Sequence, residues 1–125
     1  MNKKLLLVIL VGLGILFGGV FVFSKITENN DAGNNGTILF YGNGCPHCAK
    51  VEEYIEANKV EDKIQFSTKE VFSFWHKKNA QLLMEKAASC GLSTDGIGVP
   101  FLWDGSRCLV GDQDIINFFK EKIGG

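Results

Sequence analysis

Charge of one sign is what this sequence has least of: 13 Lys and Arg stand against 14 Asp and Glu. That balance gives no basic face, and with it goes the reason to expect a nucleic-acid partner. Cysteine is sparse as well. Four cysteines are too few for a small fold stapled by many disulfides. Internal repeats and low-complexity segments are missing from the C-terminal part. Hydrophobic residues at 46% and charged residues at 22% exclude a disordered chain. A length of 125 residues leaves room for one core rather than two.

What is present is divided unevenly. Leu5 to Phe23 contains only Leu, Ile, Val, Phe and Gly. At about 1.5 Å per residue a helix of this run covers roughly 28 Å, close to the ~30 Å hydrocarbon core of a bilayer. Lys3 and Lys4 precede it, which favours a cytoplasmic N-terminus. The run is longer than a signal-peptide core and ends in Val20-Phe21-Val22-Phe23, where a cleavage site wants small residues. An uncleaved signal anchor is therefore expected over 5–23, after a cytoplasmic stretch 1–4, with cleavage as the alternative. Gly14 and Gly18 form a GxxxG pair that would let two such helices approach, although glycine is simply common in membrane helices. Residues 24–36, SKITENNDAGNNG, read as a flexible tether with a reach of about 20 Å. The sequon Asn35-Gly36-Thr37 lies at its end. Everything after Phe23 is expected outside the cytoplasmic membrane, with residues 37–125 forming the folded domain.

Within that domain, strand and helix patterns alternate. Thr37–Tyr41 is a short β-rich run bounded by glycines, a buried strand. A helix starts near Pro46, a residue suited to a first helical turn, and carries Val51, Tyr54 and Ile55 on its apolar face. Lys63–Ser67 alternates as a second strand. A helix is predicted from about Trp75 to Ser89, with Gly91 as its terminator. Val99–Trp103 and Arg107–Val110 form strands around an Asp104-Gly105 turn. Asp112 is predicted to cap a last helix bearing Ile115, Ile116, Phe118, Phe119 and Ile123. The order β-α-β-α-β-β-α implies an α/β fold: a parallel first strand pair by right-handed crossover, an antiparallel last pair, and a four-stranded mixed sheet with helices on both faces.

The chemistry lies in Cys45-Pro46-His47-Cys48. A thiol at the start of a helix faces unpaired backbone N–H groups and the positive end of the helix dipole, and both favour its ionised form. Cys48 follows about one turn later, placed to close a small disulfide ring. Pro46 fixes the turn, and His47, when protonated, adds positive charge beside Cys45. An attacking thiol with a resolving thiol behind it is what disulfide exchange requires. The same spacing could instead be half of a zinc site or a static disulfide. No second CxxC and no HxxxH accompanies it, so neither metal nor cofactor is expected.

The strand, the CPHC motif, the helix and the later Gly98-Val99-Pro100 before a hairpin resemble the thioredoxin superfamily over Thr37–Gly125. The short build is similar to glutaredoxins, as is Gly111-Asp112 with Asp114. The CPHC motif resembles the oxidising periplasmic DsbA-type enzymes. The resemblance implies Cys45 as nucleophile, Cys48 as resolving thiol, His47 as tuner, Pro100 as a cis residue beside the pair, and Val99 as the residue offering its backbone to an extended substrate. Two positions depart from the family pattern. Leu39 stands where thioredoxins and DsbA-type enzymes have a buried acid, so proton transfer at Cys48 must use water or another group. Tyr41-Gly42-Asn43-Gly44 lacks the basic residue that helps glutaredoxins bind glutathione.

A membrane-tethered thiol–disulfide oxidoreductase is thus expected, exchanging disulfides with exported proteins. It is read as an oxidase, with a membrane redox partner to recharge it. The alternatives are a reductant for extracytoplasmic cysteines and a non-enzymatic metal-binding or interaction module. For Cys90 and Cys108, two buried free thiols are the first expectation, a Cys90–Cys108 disulfide the second and an electron relay the third. His76 is expected at the surface or its boundary. Phe72, Phe74 and Trp75 are expected in the core under the second helix, with a substrate-facing apolar patch as the alternative.

Overall fold

Alternation along the first strand decides how the sheet is covered. The computed structural model describes residues 2–5, 7–9, 11 and 36–124. In β1 (Ile38–Tyr41), Leu39 joins one core cluster while Ile38 and Phe40 join another, as the period-2 geometry of a strand requires. The chain continues through α1 (Pro46–Asn58), β2 (Ser67–Glu70), α2 (Lys77–Ser89), β3 (Phe101–Trp103), β4 (Cys108–Val110) and α3 (Asp112–Lys122). Single 3-10 turns occupy Val60–Asp62 and Phe74–His76.

The strands lie in the order β2-β1-β3-β4. β1 runs parallel to β2 and antiparallel to β3, and β3 and β4 form a hairpin. Asp104 fixes the hairpin turn, its Oδ1 accepting the N–H groups of Ser106 at 2.9 Å and Arg107 at 2.6 Å. On one face, Val51 and Ile55 of α1 and Ile115, Phe118 and Phe119 of α3 pack on Leu39 and Leu102. On the other, Leu83 and Ala87 of α2 pack on Ile38, Phe40 and Phe101. The mixed sheet with helices on both faces matches the sequence expectation. Burying rings such as Phe40, Phe101 and Phe119 contributes on the order of 2 kcal/mol each.

Four expectations are corrected. The second strand is Ser67–Glu70, not Lys63–Ser67. Ile64 and Phe66 alternate because they pack against the α1–α3 cluster, whereas the strand itself is polar, as suits a sheet edge. The second helix begins at Lys77 after a 3-10 turn. Asp112 is the first helical residue of α3, and Gly111 (φ 96°) is the cap. Cys90 and Cys108 form a disulfide, with a Cα–Cα distance of 6.2 Å; two free thiols do not describe them. The bridge joins the end of α2 to the edge strand β4.

At the N-terminus, residues 3–5, 7–9 and 11 are helical. Among the described residues no helix is long and apolar enough to cross a membrane. Most of the expected 5–23 span, the Gly14/Gly18 pair and nearly all of the 24–36 tether lie outside the described residues.

Candidate active site

Strand directions bring four chain segments to one end of the sheet. β1 and β2 are parallel, so their C-terminal ends coincide there. β3 is antiparallel to β1, so its N-terminal end joins them, and β4 returns its C-terminal end to the same place. Ligands of open α/β sheets bind beyond the carboxyl ends of such strands. The segments gathered are Gly42–Cys48, Glu70–His76, Val99–Pro100 and Gly111–Asp112.

Cys45 is the N-cap of α1. Its Sγ accepts the Cys48 N–H at 3.2 Å, and its thiol contacts the Val99 carbonyl at 3.7 Å. The turn into it is closed by the Cys45 N–H donating to Gly42 at 3.2 Å, with Gly44 at φ 78°, a conformation that favours glycine. A sulfur capping a helix in this way takes up one of the orphan N–H groups at the helix start. Cys45 is half-buried and Cys48 buried, and both are free thiols. Burial pushes the Cys48 thiol up to about 12, with Cys45 beside it and the charge of Glu52 adding to the rise. Pro46 sits at the first helical position and leaves no N–H to satisfy there.

The Val99–Pro100 peptide is cis, as the family resemblance implies. Pro100 is fully buried while Val99 is half-buried. The Gly111 N–H donates to the Pro100 carbonyl at 3.0 Å, which fixes the start of α3 to this loop. Asp112 then reaches α1: its Oδ2 lies 3.2 Å from His47 Nδ1 and 3.3 Å from Lys50 Nζ. The hydrogen bond from His47, then Lys50, holds the Asp112 carboxyl below the usual range. His47 is thus engaged by α3, a partnership not foreseen from the sequence.

The larger omission is Glu70. It is only 5% exposed and gathers the segment that follows it. Its carboxylate accepts the N–H of Phe72 at 2.8 Å and of Ser73 at 2.9 Å. His76 Nδ1 lies 2.9 Å from Oε2, and the Asn43 N–H points at Oε1 over a long 3.5 Å. His76, first, and these backbone donors hold the Glu70 carboxyl at about 2. Half-exposed, His76 keeps its expected boundary position while gaining this partner. Glu70 ends β2, so the correct strand position would have brought it to the site, and the displaced strand hid it.

The aromatic expectation is overturned. Phe72, Phe74 and Trp75 are 62%, 69% and 86% exposed, so they are not core under α2. Glu70 fixes the backbone of Phe72 and Ser73 and the ring of His76 around them. Leu39, by contrast, is buried in the α1–α3 cluster, and no acid stands in its place. Among the described residues no cluster of three or more His, Cys, Asp or Glu side chains could hold a metal ion.

No family model matches this sequence, and no curated protein matches it. Among solved structures the chain is similar to the glutaredoxin grx-1 from Archaeoglobus fulgidus, with a TM-score of 0.50 and 19% identity, over 74% of this chain and 90% of that one. The fold is thioredoxin-like. The likeness is one of architecture, and in that architecture the cysteine pair, the cis-proline loop and the start of the last helix share one end of the sheet.

Proposed function

We propose that this chain is a thiol–disulfide oxidoreductase, held outside the cytoplasmic membrane by an N-terminal anchor, that donates disulfides to exported proteins. The observation carrying the activity is Cys45: it caps α1 through its sulfur, has Cys48 one turn behind it, and faces the Val99 carbonyl. The thioredoxin-like fold agrees with this reading. The location is supported by the apolar run Leu5–Phe23 behind Lys3 and Lys4. The Cys90–Cys108 disulfide also supports it, because such bonds persist in oxidising compartments. The direction is supported by the likeness of CPHC to the DsbA-type motif.

The exchange proceeds in two substitutions at sulfur. A substrate thiolate attacks Cys45 Sγ of the Cys45–Cys48 disulfide. The bond between the two cysteines breaks, and its electron pair leaves on Cys48. Cys48 takes up a proton readily, because burial holds its thiol up to about 12. A second substrate thiolate then attacks the substrate sulfur of the mixed disulfide and releases Cys45 as thiolate. The substrate has lost two electrons and gained a disulfide, and the pair is left reduced. A membrane partner linked to a quinone accepts those two electrons and restores the disulfide.

Cys48→Ser cannot form the Cys45–Cys48 disulfide, but its Cys45 can attack a disulfide of an exported protein and release one substrate thiolate. With no Cys48 to attack Cys45 Sγ in the reverse direction, the mixed disulfide should accumulate. Cys45→Ser should accumulate none. Equal trapping by both variants, read on non-reducing gels, would contradict the assigned roles.

A further inference from the structure

Three large aromatic rings lie within four residues, all exposed, at 62%, 69% and 86% for Phe72, Phe74 and Trp75. Single exposed apolar residues are ordinary, whereas several large ones in one short segment mark a contact surface. This cluster is also held in place. The Glu70 carboxylate fixes the backbone of Phe72 and Ser73 and the ring of His76. Phe74 and Trp75 meet edge to face with centroids 5.7 Å apart, and Lys77 Nζ lies 4.0 Å over the Phe74 ring. Rings ordered before binding lose little entropy when a partner arrives.

The cluster is continuous with the reactive thiol. The Phe72 ring lies so close over Gly42 that any side chain at that position would overlap it. The carbonyl of the same Gly42 accepts the Cys45 N–H, and the next residue, Asn43, points its N–H at Glu70. Phe72 therefore stands beside the turn that carries Cys45.

Resting on the oxidoreductase reading above, we infer that the Phe72–Phe74–Trp75 ledge is part of the substrate-binding surface and selects extended polypeptides with an aromatic side chain near the reacting cysteine. At about 3.3 Å per extended residue, side chains two to four positions from the substrate cysteine lie roughly 7–13 Å from it. Val99 would engage the backbone beside the cysteine, and the ledge would receive a side chain further along. The chemistry recognised is that of an unfolded segment, because in folded proteins aromatic side chains are mostly buried.

The test uses the full-length chain with its Cys45–Cys48 disulfide formed. It is mixed with either of two reduced peptides, each with one cysteine. One carries Phe three residues to either side of the cysteine, and the other carries Ser at those places. Two peptide thiols become one peptide disulfide as the protein pair is reduced. Partial burial of one aromatic ring predicts a rate for the Phe peptide on the order of tenfold above that for the Ser peptide. In Phe74→Ser/Trp75→Ser the ratio of the two rates should fall toward one. A ratio near one in the unmodified chain, or a ratio that survives the double substitution, overturns the inference. A ratio near one accompanied by quenching of Trp75 fluorescence on brominated phosphatidylglycerol vesicles also overturns it, and assigns the ledge to the membrane. Absence of reaction with both peptides overturns the oxidoreductase reading itself, and the two failures are thereby distinguished.

Discussion

Replacing Cys90 and Cys108 together by serine should destabilise the domain by about 3 kcal/mol. The bridge spans a sequence separation of 18. Closing a loop of that length in the unfolded chain removes entropy equivalent to about 3 kcal/mol at 25 °C on the chain-entropy account. The native backbone should tolerate the change, because the Cα atoms stand 6.2 Å apart, within the ordinary range for a bridge, and serine is close to cysteine in size. The consequence in the fold is specific: the end of α2 loses its covalent tie to β4, a three-residue edge strand whose ladder partner is β3. For a domain of this size each kcal/mol moves Tm by roughly 4–8 °C, so a fall of about 12–24 °C is expected. Urea unfolding of the purified oxidised chain, followed by far-ultraviolet circular dichroism, measures the free energy. Cys45→Ser/Cys48→Ser in both proteins removes the other pair from the comparison. A loss below about 1 kcal/mol would refute the reasoning, because it would mean that the bridge does not constrain the unfolded chain as its spacing requires.

Two further outcomes follow from the charges around the site. With its thiol pushed up to about 12, Cys48 stays protonated at pH 7, and it is 2% exposed. Iodoacetamide at neutral pH should therefore label Cys45 and spare Cys48, and peptide mapping that found both labelled at equal rates would contradict this. Glu70 has its folded pKa lowered from 4.5 to about 2, so its contribution to stability is present above pH 4.5 and is lost as pH falls toward 2. Glu70→Gln should make the domain less stable at pH 7 and flatten the fall in urea midpoint between those pH values. Superimposable pH profiles would show that the clamp on residues 72–76 does not form.

Much of the architecture could be read from local pattern. Gly36 and Gly42 bound β1, Pro46 begins α1, and the spacings of Val51 with Ile55 and of Ile115 with Phe118 and Phe119 define apolar helix faces. The sheet order then follows from crossover and hairpin rules. Pattern failed where a residue's role depends on what lies across the fold. Ile64 and Phe66 alternate like a strand because they lean on the core, while β2 is the polar run Ser67–Glu70. Hydrophobicity alone does not say which way Phe72, Phe74 and Trp75 point, and the Glu70 carboxylate that holds the backbone of Phe72 and Ser73 comes from the end of β2, which the pattern had misplaced. The Cys90–Cys108 bridge needed a distance between α2 and β4 that spacing does not contain. The cysteine motif was plain in the chain, whereas Asp112 on His47 and Glu70 beside Asn43 exist only because four segments meet at one end of the sheet.

The central claim is that Cys45 and Cys48 interchange electrons with protein thiols and favour oxidising them. The most direct measurement is the reduction potential of that pair in the full-length chain, equilibrated in glutathione buffers, with the state of each cysteine read by mass mapping. A reversible two-electron transition nearer about −120 mV is predicted, because that is the range of pairs whose reduced form is stabilised. A value nearer about −270 mV would contradict the direction and make the protein a reductant. No reversible transition at all would contradict the oxidoreductase account.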